Sequence, residues 1–161
     1  VKLTMQSELV LKNTNNIIEK LLSQITSSNS CGVHIRRSDY LIKPFSDIYY
    51  VCSEQYYRNA FEIINNRFKD TIYFFFTDDI IWAKKKFGNL KNSIFIKNYE
   101  LSDYEEFFLL SKCKNHIISN STFSLIAAWL NSDNNLVIEP RNWFKNKESG
   151  NKIVKDWIQL D

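Results

Sequence analysis

The sequence predicts an α/β domain built as an open, doubly wound parallel sheet of about five strands with helices on both faces. Two observations carry that prediction. Short apolar runs recur along the chain, each separated from the next by a stretch with helical spacing. Those runs are apolar at successive positions, where a half-exposed strand would alternate. No internal repeat and no low-complexity linker interrupts the series, so residues 1–161 read as a single domain.

The elements follow in order. From 13 to 25, Ile17, Ile18, Leu21, Leu22 and Ile25 recur at three- and four-residue steps, the stripe of an amphipathic helix. The β-branched run 31–36 predicts the first strand. Tyr57, Ala60, Phe61, Ile64 and Phe68 mark a helix over 54–68, and 71–77 is a continuous apolar strand. A short helix over 80–87, a strand over 93–96 and a helix over 103–112 come next. The strand 116–119, the helix 122–130, apolar nearly all round, and the strand 136–139 before Pro140 close the series. In open sheets of this kind ligands bind beyond the carboxyl ends of the strands, where the strand order reverses. The residues that follow each strand are therefore the candidates for chemistry.

Composition narrows the classes. With 161 residues, 44% of them hydrophobic and 24% charged, the chain is long enough to bury a core. It contains no run near the roughly 18 apolar residues of a membrane span. The opening Val1-Lys2-Leu3-Thr4-Met5-Gln6 has neither the apolar stretch nor the cleavage site of a secretory leader and does not resemble a native start. Three cysteines without a Cys-x-x-Cys pair argue against a disulfide framework, and two histidines against a histidine zinc site. A cytoplasmic place, or one peripheral to the membrane of a bacterial-type cell, is the expectation. The net charge is +3, and its one cluster, Lys84-Lys85-Lys86, suits a solvated helix face better than a nucleic-acid stripe. No nucleic-acid partner is expected; a small anion remains compatible.

His34-Ile35-Arg36-Arg37-Ser38-Asp39-Tyr40 ends the first strand. Alternation puts His34 and Arg36 on one face and Val33 and Ile35 on the other. Adjacent arginines at a strand end either meet an anion or pair with Asp39, Asp78 or Asp79 as a structural ion network. The three glycines, Gly32, Gly88 and Gly150, form no Gly-rich phosphate loop, so a phosphate here needs side chains and a helix end. Asn120-Ser121-Thr122-Phe123-Ser124 opens the apolar helix and offers backbone amides and hydroxyls to an anion, or simply an N-cap. Of Asp78 and Asp79, one reads as the N-cap of the next helix and the other as a partner for an arginine or a ribose hydroxyl. Together they are also candidates for a divalent metal carrying a diphosphate.

These residues resemble a known family. His34-Ile35-Arg36-Arg37-Ser38-Asp39-Tyr40 is similar to the His-x-Arg-Arg-Gly-Asp-Tyr signature of the α-1,2-fucosyltransferases, relatives of the α-1,6- and protein O-fucosyltransferases. Residues 75–82 look like that family's Phe-Ser-Asp-Asp segment with its following tryptophan, and residues 110–124 like its third block. Ala127-Ala128-Trp129-Leu130-Asn131 and Val137-Ile138-Glu139-Pro140 continue the likeness, which covers residues 31–143. Ser38 stands where the family has glycine and Glu106 where it has aspartate. The Gly-Gly-Leu-Gly-Asn-Gln segment that opens family members is missing, so the chain is expected to lack the amino-terminal, acceptor-binding half.

The resemblance implies a Rossmann-like domain, one half of a GT-B enzyme, that binds GDP-fucose as donor substrate. Its product would be an L-fucosyl group on a galactose 2-hydroxyl of a glycan, formed with inversion and without a required metal or cofactor. It implies catalytic roles for Arg36, at the β-phosphate, and Asp39. Donor contacts would come from His34, Arg36, Arg37, Asp78, Asp79, Glu106, Asn120, Ser121, Thr122, Phe123 and Ser124, with His34 and Glu106 on the guanine side. Asp39 is read as orienting Arg37. Two other readings stay open: a GDP- or GDP-sugar-binding module without turnover, and a metal-dependent glycosyltransferase using Asp78 and Asp79.

Overall fold

A computed structural model describes residues 1–11, 14–131, 136–145, 152 and 154–161. Its helices are α1 (Lys2–Glu8), α2 (Asn16–Ser27), α3 (Glu54–Arg67), α4 (Ile80–Phe87), α5 (Asp103–Lys112) and α6 (Thr122–Leu130). Its strands are β1 (Ser30–Ile35), β2 (Ile72–Thr77), β3 (Ser93–Phe95), β4 (Asn115–Ile117), β5 (Leu136–Pro140) and β6 (Ile158–Leu160). All pairings between these strands are parallel and the order is β3-β2-β1-β4-β5-β6, an open sheet of Rossmann type. The chain winds outward from β1 in one direction through β2 and β3, then returns to the other side of β1 with β4. The crevice between the carboxyl ends of β1 and β4 is the switch point.

Alternation along the strands divides the core in two. Cys31, Val33 and Ile35 of β1, with Tyr73 and Phe75 of β2, face α3 and α4. Phe75 stacks on Phe95 at 4.7 Å and on Phe87 at 5.8 Å, and Phe61 of α3 meets Phe75 edge-on. On the opposite face, Phe74 and Phe76 pack with Ile18, Leu21 and Ile25 of α2, Leu109 and Leu110 of α5, and Ala127 of α6. Each fully buried side chain of this size contributes roughly 1.5–3 kcal/mol, so these two layers hold the strand ends at a fixed spacing. Gly32 lies on the second face, and a Cβ there would sit 2.6 Å from Leu110 Cδ1 and 3.1 Å from Cys113 Sγ. The missing side chain is what lets the end of α5 approach β1.

The predicted elements are present with shifted limits. The sheet has six strands where the sequence reading gave about five: β6 pairs with β5 beyond Pro140, where that reading stopped. The helix read from residue 13 is α2, from Asn16, with Asn15 as its cap; Asn13 lies outside the described residues. The third strand ends at Phe95, and a 3-10 turn, Ile96–Tyr99, replaces its predicted last residue. The three cysteines are buried and unbridged, and burial pushes the Cys52 thiol up to about 12. Among the described residues no helix is long and apolar enough to cross a membrane.

Candidate donor site at the switch point

β1 delivers His34 to the switch point on the face shared with Phe74 and Phe76, and β4 delivers Ser119 beside it. His34 Nδ1 and Ser119 Oγ lie 2.8 Å apart, so one hydrogen bond joins the two strand ends across the crevice. The His34 ring stacks on Phe123, at the start of α6, with centroids 5.3 Å apart. Tyr57 Oη donates to the His34 carbonyl at 3.1 Å and fixes the backbone from the other face. Burial, then the nearby Arg36 charge, lowers the His34 pKa to about 3, so the ring is neutral at ordinary pH.

The next residues form an ion network that is open to solvent. Arg36 Nη2 donates to Asp39 Oδ2 at 2.7 Å, its Nε lies 3.3 Å from Asp78 Oδ2, and the guanidinium side chain stays 39% exposed. Arg37 turns away: its guanidinium lies 4.0 Å over the Trp82 ring and 3.4 Å from Asp79 Oδ2, and its side chain is 16% exposed. Asp39 therefore orients Arg36 and not Arg37, contrary to the sequence reading; Arg36 meets two aspartates, Asp39 and Asp78, and Arg37 meets Asp79. Asp79 is the N-cap of α4, accepting from the Trp82 amide at 3.0 Å. Asp78 gathers the turn after β1 by accepting from the Arg37 and Ser38 amides at 2.9 and 3.1 Å. Ser38 has φ −48°, so this backbone does not demand glycine.

α6 supplies the other wall. Asn15, Ser53, Asp79 and Ser102 close the starts of α2, α3, α4 and α5 with side-chain hydrogen bonds. Ser121 holds the corresponding place on α6, but its hydroxyl makes no such bond. The first amides of α6, and the positive end of its dipole, lie just past the carboxyl end of β4 without a side-chain cap. Thr122 is exposed there, and Ser124 is buried, donating back toward the Ser121 and Ser119 carbonyls. Asn120 is 1% exposed, and its side chain is occupied: Nδ2 donates to the Tyr50 and Trp143 carbonyls at 2.6 and 2.9 Å, and Oδ1 faces Cys52 Sγ. Asn120 thus ties the rim of the crevice together from behind.

A pocket of about 140 Å³ opens here, lined by His34, Arg36, Thr77, Asp78, Lys97, Asp103, Glu106 and Phe123. Six of these were legible as strand-end, helix-start or motif residues. Lys97 and Asp103 were not singled out, although Lys97 follows β3 as the strand-end rule requires. Glu106, on the first turns of α5, is 8% exposed; burial raises its pKa, Lys97 at 3.9 Å opposes the shift and Asp103 adds to it. Among the described residues Glu106 Oε1 has no hydrogen-bond partner. The site thus brings His34, Arg36, Asp78, Glu106 and Phe123 to one opening and leaves Arg37, Asp79 and Asn120 in supporting positions. A roomier pocket of about 300 Å³, between Gln6, Thr26, Lys112, Lys114 and Asn131, lies at the amino ends of the strands. Helix carboxyl ends converge there, which disfavours an anion in spite of the two lysines.

The description "Glycosyl transferase family 11" matches residues 2–161 as a family profile. The O-antigen biosynthesis glycosyltransferase WbnK of Escherichia coli is 35% identical over 156 residues, 94% of this chain and 51% of that protein. The alpha-1,2-colitosyltransferase of Escherichia coli is 35% identical over 159 residues, 92% of this chain and 53% of that protein. Galactoside alpha-(1,2)-fucosyltransferase 1 of Leontocebus fuscicollis is 28% identical over 102 residues, 62% of this chain and 28% of that protein. The chain spans about half the length of the two bacterial relatives.

Proposed function

The chain belongs to glycosyl transferase family 11, and from that premise we propose that it is the nucleotide-sugar-binding part of a galactoside α-1,2-fucosyltransferase that takes its sugar from GDP-fucose. The observation that carries the reading is the pairing, at one switch point, of a solvent-open guanidinium with a helix start that no side chain caps. A diphosphate is the ligand that both features ask for.

In the proposed arrangement Arg36 meets the β-phosphate, and the amides of Thr122 and Phe123 with the Ser121 and Thr122 hydroxyls share the charge. The acceptor 2-hydroxyl attacks the fucosyl anomeric carbon from the face opposite GDP. The bond from that carbon to the β-phosphate oxygen breaks, its electron pair leaves on GDP, and the acceptor proton passes to a base. Preorganised donors aimed at the growing charge contribute about 3–4 kcal/mol each in comparable sites. Asp39 serves better as the residue that orients Arg36 than as that base. Its Oδ2 is bound to the guanidinium, and its Oδ1 is buried without a partner.

A thermal-shift panel with GDP, UDP, ADP and CMP tests the donor class, because a ligand that binds only the folded chain raises its stability by mass action. A rise with GDP alone supports the reading; equal rises or none overturn it. A transfer assay with GDP-fucose and GDP-colitose on a galactose-terminated acceptor, run on a chain of the relatives' full length, tests the sugar. GDP binding without product from either donor would favour a binding module.

A further inference from the structure

We propose that Lys97 reads the nucleobase: with Glu106 it forms a donor–acceptor pair complementary to the edge of a 6-oxopurine, and it sets the base specificity of the pocket. The inference rests on the donor reading above and refines it. The pocket's 140 Å³ is below the roughly 300–1,000 Å³ of a complete small-molecule site. It therefore takes one part of a nucleotide. Arg36 occupies the end nearest the switch point, so the far end, between the turn after β3 and the start of α5, is left for the base.

The chemistry at that far end is specific. Ile96 is fully buried and anchors the 3-10 turn, which leaves the Lys97 side chain 52% exposed at the pocket. Lys97 Nζ and Glu106 Oε1 are 3.9 Å apart, attracted but beyond hydrogen-bond reach, and Oε1 has no other donor. An ammonium offers only donors and an ionised carboxylate only acceptors. A 6-oxopurine presents O6 as acceptor next to N1–H as donor, and guanine adds the 2-amino donor. Lys97 then donates to O6 while the Glu106 carboxylate accepts from N1–H and the 2-amino group. Adenine reverses the pattern, setting its 6-amino group against the ammonium and its N1 lone pair against the carboxylate.

Calorimetry with GDP, with 2-aminopurine riboside 5′-diphosphate, which lacks O6, and with ADP, on wild type and Lys97→Met, separates this role from a general pull on phosphate. Hydrogen bonds to charged groups set the scale, at least about tenfold in affinity. Lys97→Met should weaken GDP by that factor and weaken neither the 2-aminopurine analogue nor ADP. Lys97 is half exposed, and an unchanged unfolding midpoint should accompany the variant. Equal losses across all three diphosphates, or no loss for GDP, overturn the role of Lys97 alone. If wild type binds no GDP, the donor reading fails first and this inference falls with it.

Discussion

Replacing Arg36 and Arg37 separately by lysine should split ligand binding from stability, although the two residues are neighbours with the same charge. Arg36 is 39% exposed, and its partners Asp39 and Asp78 are 40% and 21% exposed. Ion pairs of that exposure are worth roughly 0–1 kcal/mol, so Arg36→Lys should shift stability by less than about 1 kcal/mol. The same change removes the two-pronged contact that a phosphate needs. Losing a hydrogen bond to a charged group costs about 1.5–3 kcal/mol, which weakens GDP by ten- to more than a hundredfold. Arg37 inverts the balance. Its guanidinium is 16% exposed, lies 4.0 Å over Trp82 and meets Asp79. A largely desolvated cation–π contact is worth about 1–2 kcal/mol, so Arg37→Lys should lower unfolding stability by that much and change GDP affinity less than about threefold. Urea unfolding and GDP calorimetry on both variants decide the matter. Wild-type GDP affinity in Arg36→Lys, or loss of binding at unchanged stability in Arg37→Lys, would refute the assignment.

Further measurements reach other parts of the site. The His34 pKa falls from 6.5 to about 3 on folding, so between those values the unfolded chain holds a proton that the folded chain does not. Acidification below pH 6.5 should therefore cost stability, at up to about 1.4 kcal/mol per pH unit, and His34→Gln should flatten that slope between pH 6.5 and 5; an unchanged slope would contradict it. Gly32→Ala, with Leu110 and Cys113 in its way, should destabilise by about 1–3 kcal/mol in urea unfolding, and a neutral result would mean that α5 yields freely. Asn120→Ala removes the donor to the Tyr50 carbonyl and one donor to the Trp143 carbonyl, which keeps the Tyr50 amide, and should cost roughly 1–3 kcal/mol. Were Asn120 a donor ligand instead, GDP affinity would fall with stability intact. Asp78 and Asp79 are engaged by amides and arginines, so EDTA should leave GDP affinity unchanged; loss restored by manganese would revive the metal-dependent reading.

The fold was legible because its two strongest signals are local. Apolar runs such as Phe74-Phe75-Phe76 and helical stripes such as Ile18, Leu21 and Ile25 declare their own element and burial. β6 was not legible, because Ile158–Leu160 is three half-buried residues whose identity as a strand comes only from pairing with β5. In the site, the motif located Arg36 and Arg37 but did not say which faces the crevice. Period-two alternation placed His34 and Arg36 together, but it carries only to the first residue past β1; at Arg37 it has stopped, and Trp82 and Asp79 of the next unit set the direction of that side chain. The partner of Asp39 was not legible for the same reason: the chain turns after β1, and Asp39, which opens the 3-10 turn Asp39–Leu41, comes back to Arg36.

In the proposed reading, the uncapped start of α6 is what lets this network take an anion. By charge alone the cluster is already more than neutralised, since the three carboxylates of Asp39, Asp78 and Asp79 outnumber the two guanidiniums of Arg36 and Arg37. A dianionic ligand entering such a cluster has to use the guanidinium N–H groups that Asp39 and Asp78 leave free on Arg36, against the repulsion of the surrounding carboxylates. The amides of α6 add donors that carry no counter-charge and have no capping side chain to displace. Capping α6 from within should then weaken the ligand while stabilising the protein. Ser121→Asp, which supplies an acidic cap, is expected to gain up to about 1 kcal/mol in unfolding stability and to lose GDP affinity by tenfold or so through repulsion and competition for the same amides. A variant that gains stability and still binds GDP as wild type does would show that the diphosphate lies elsewhere.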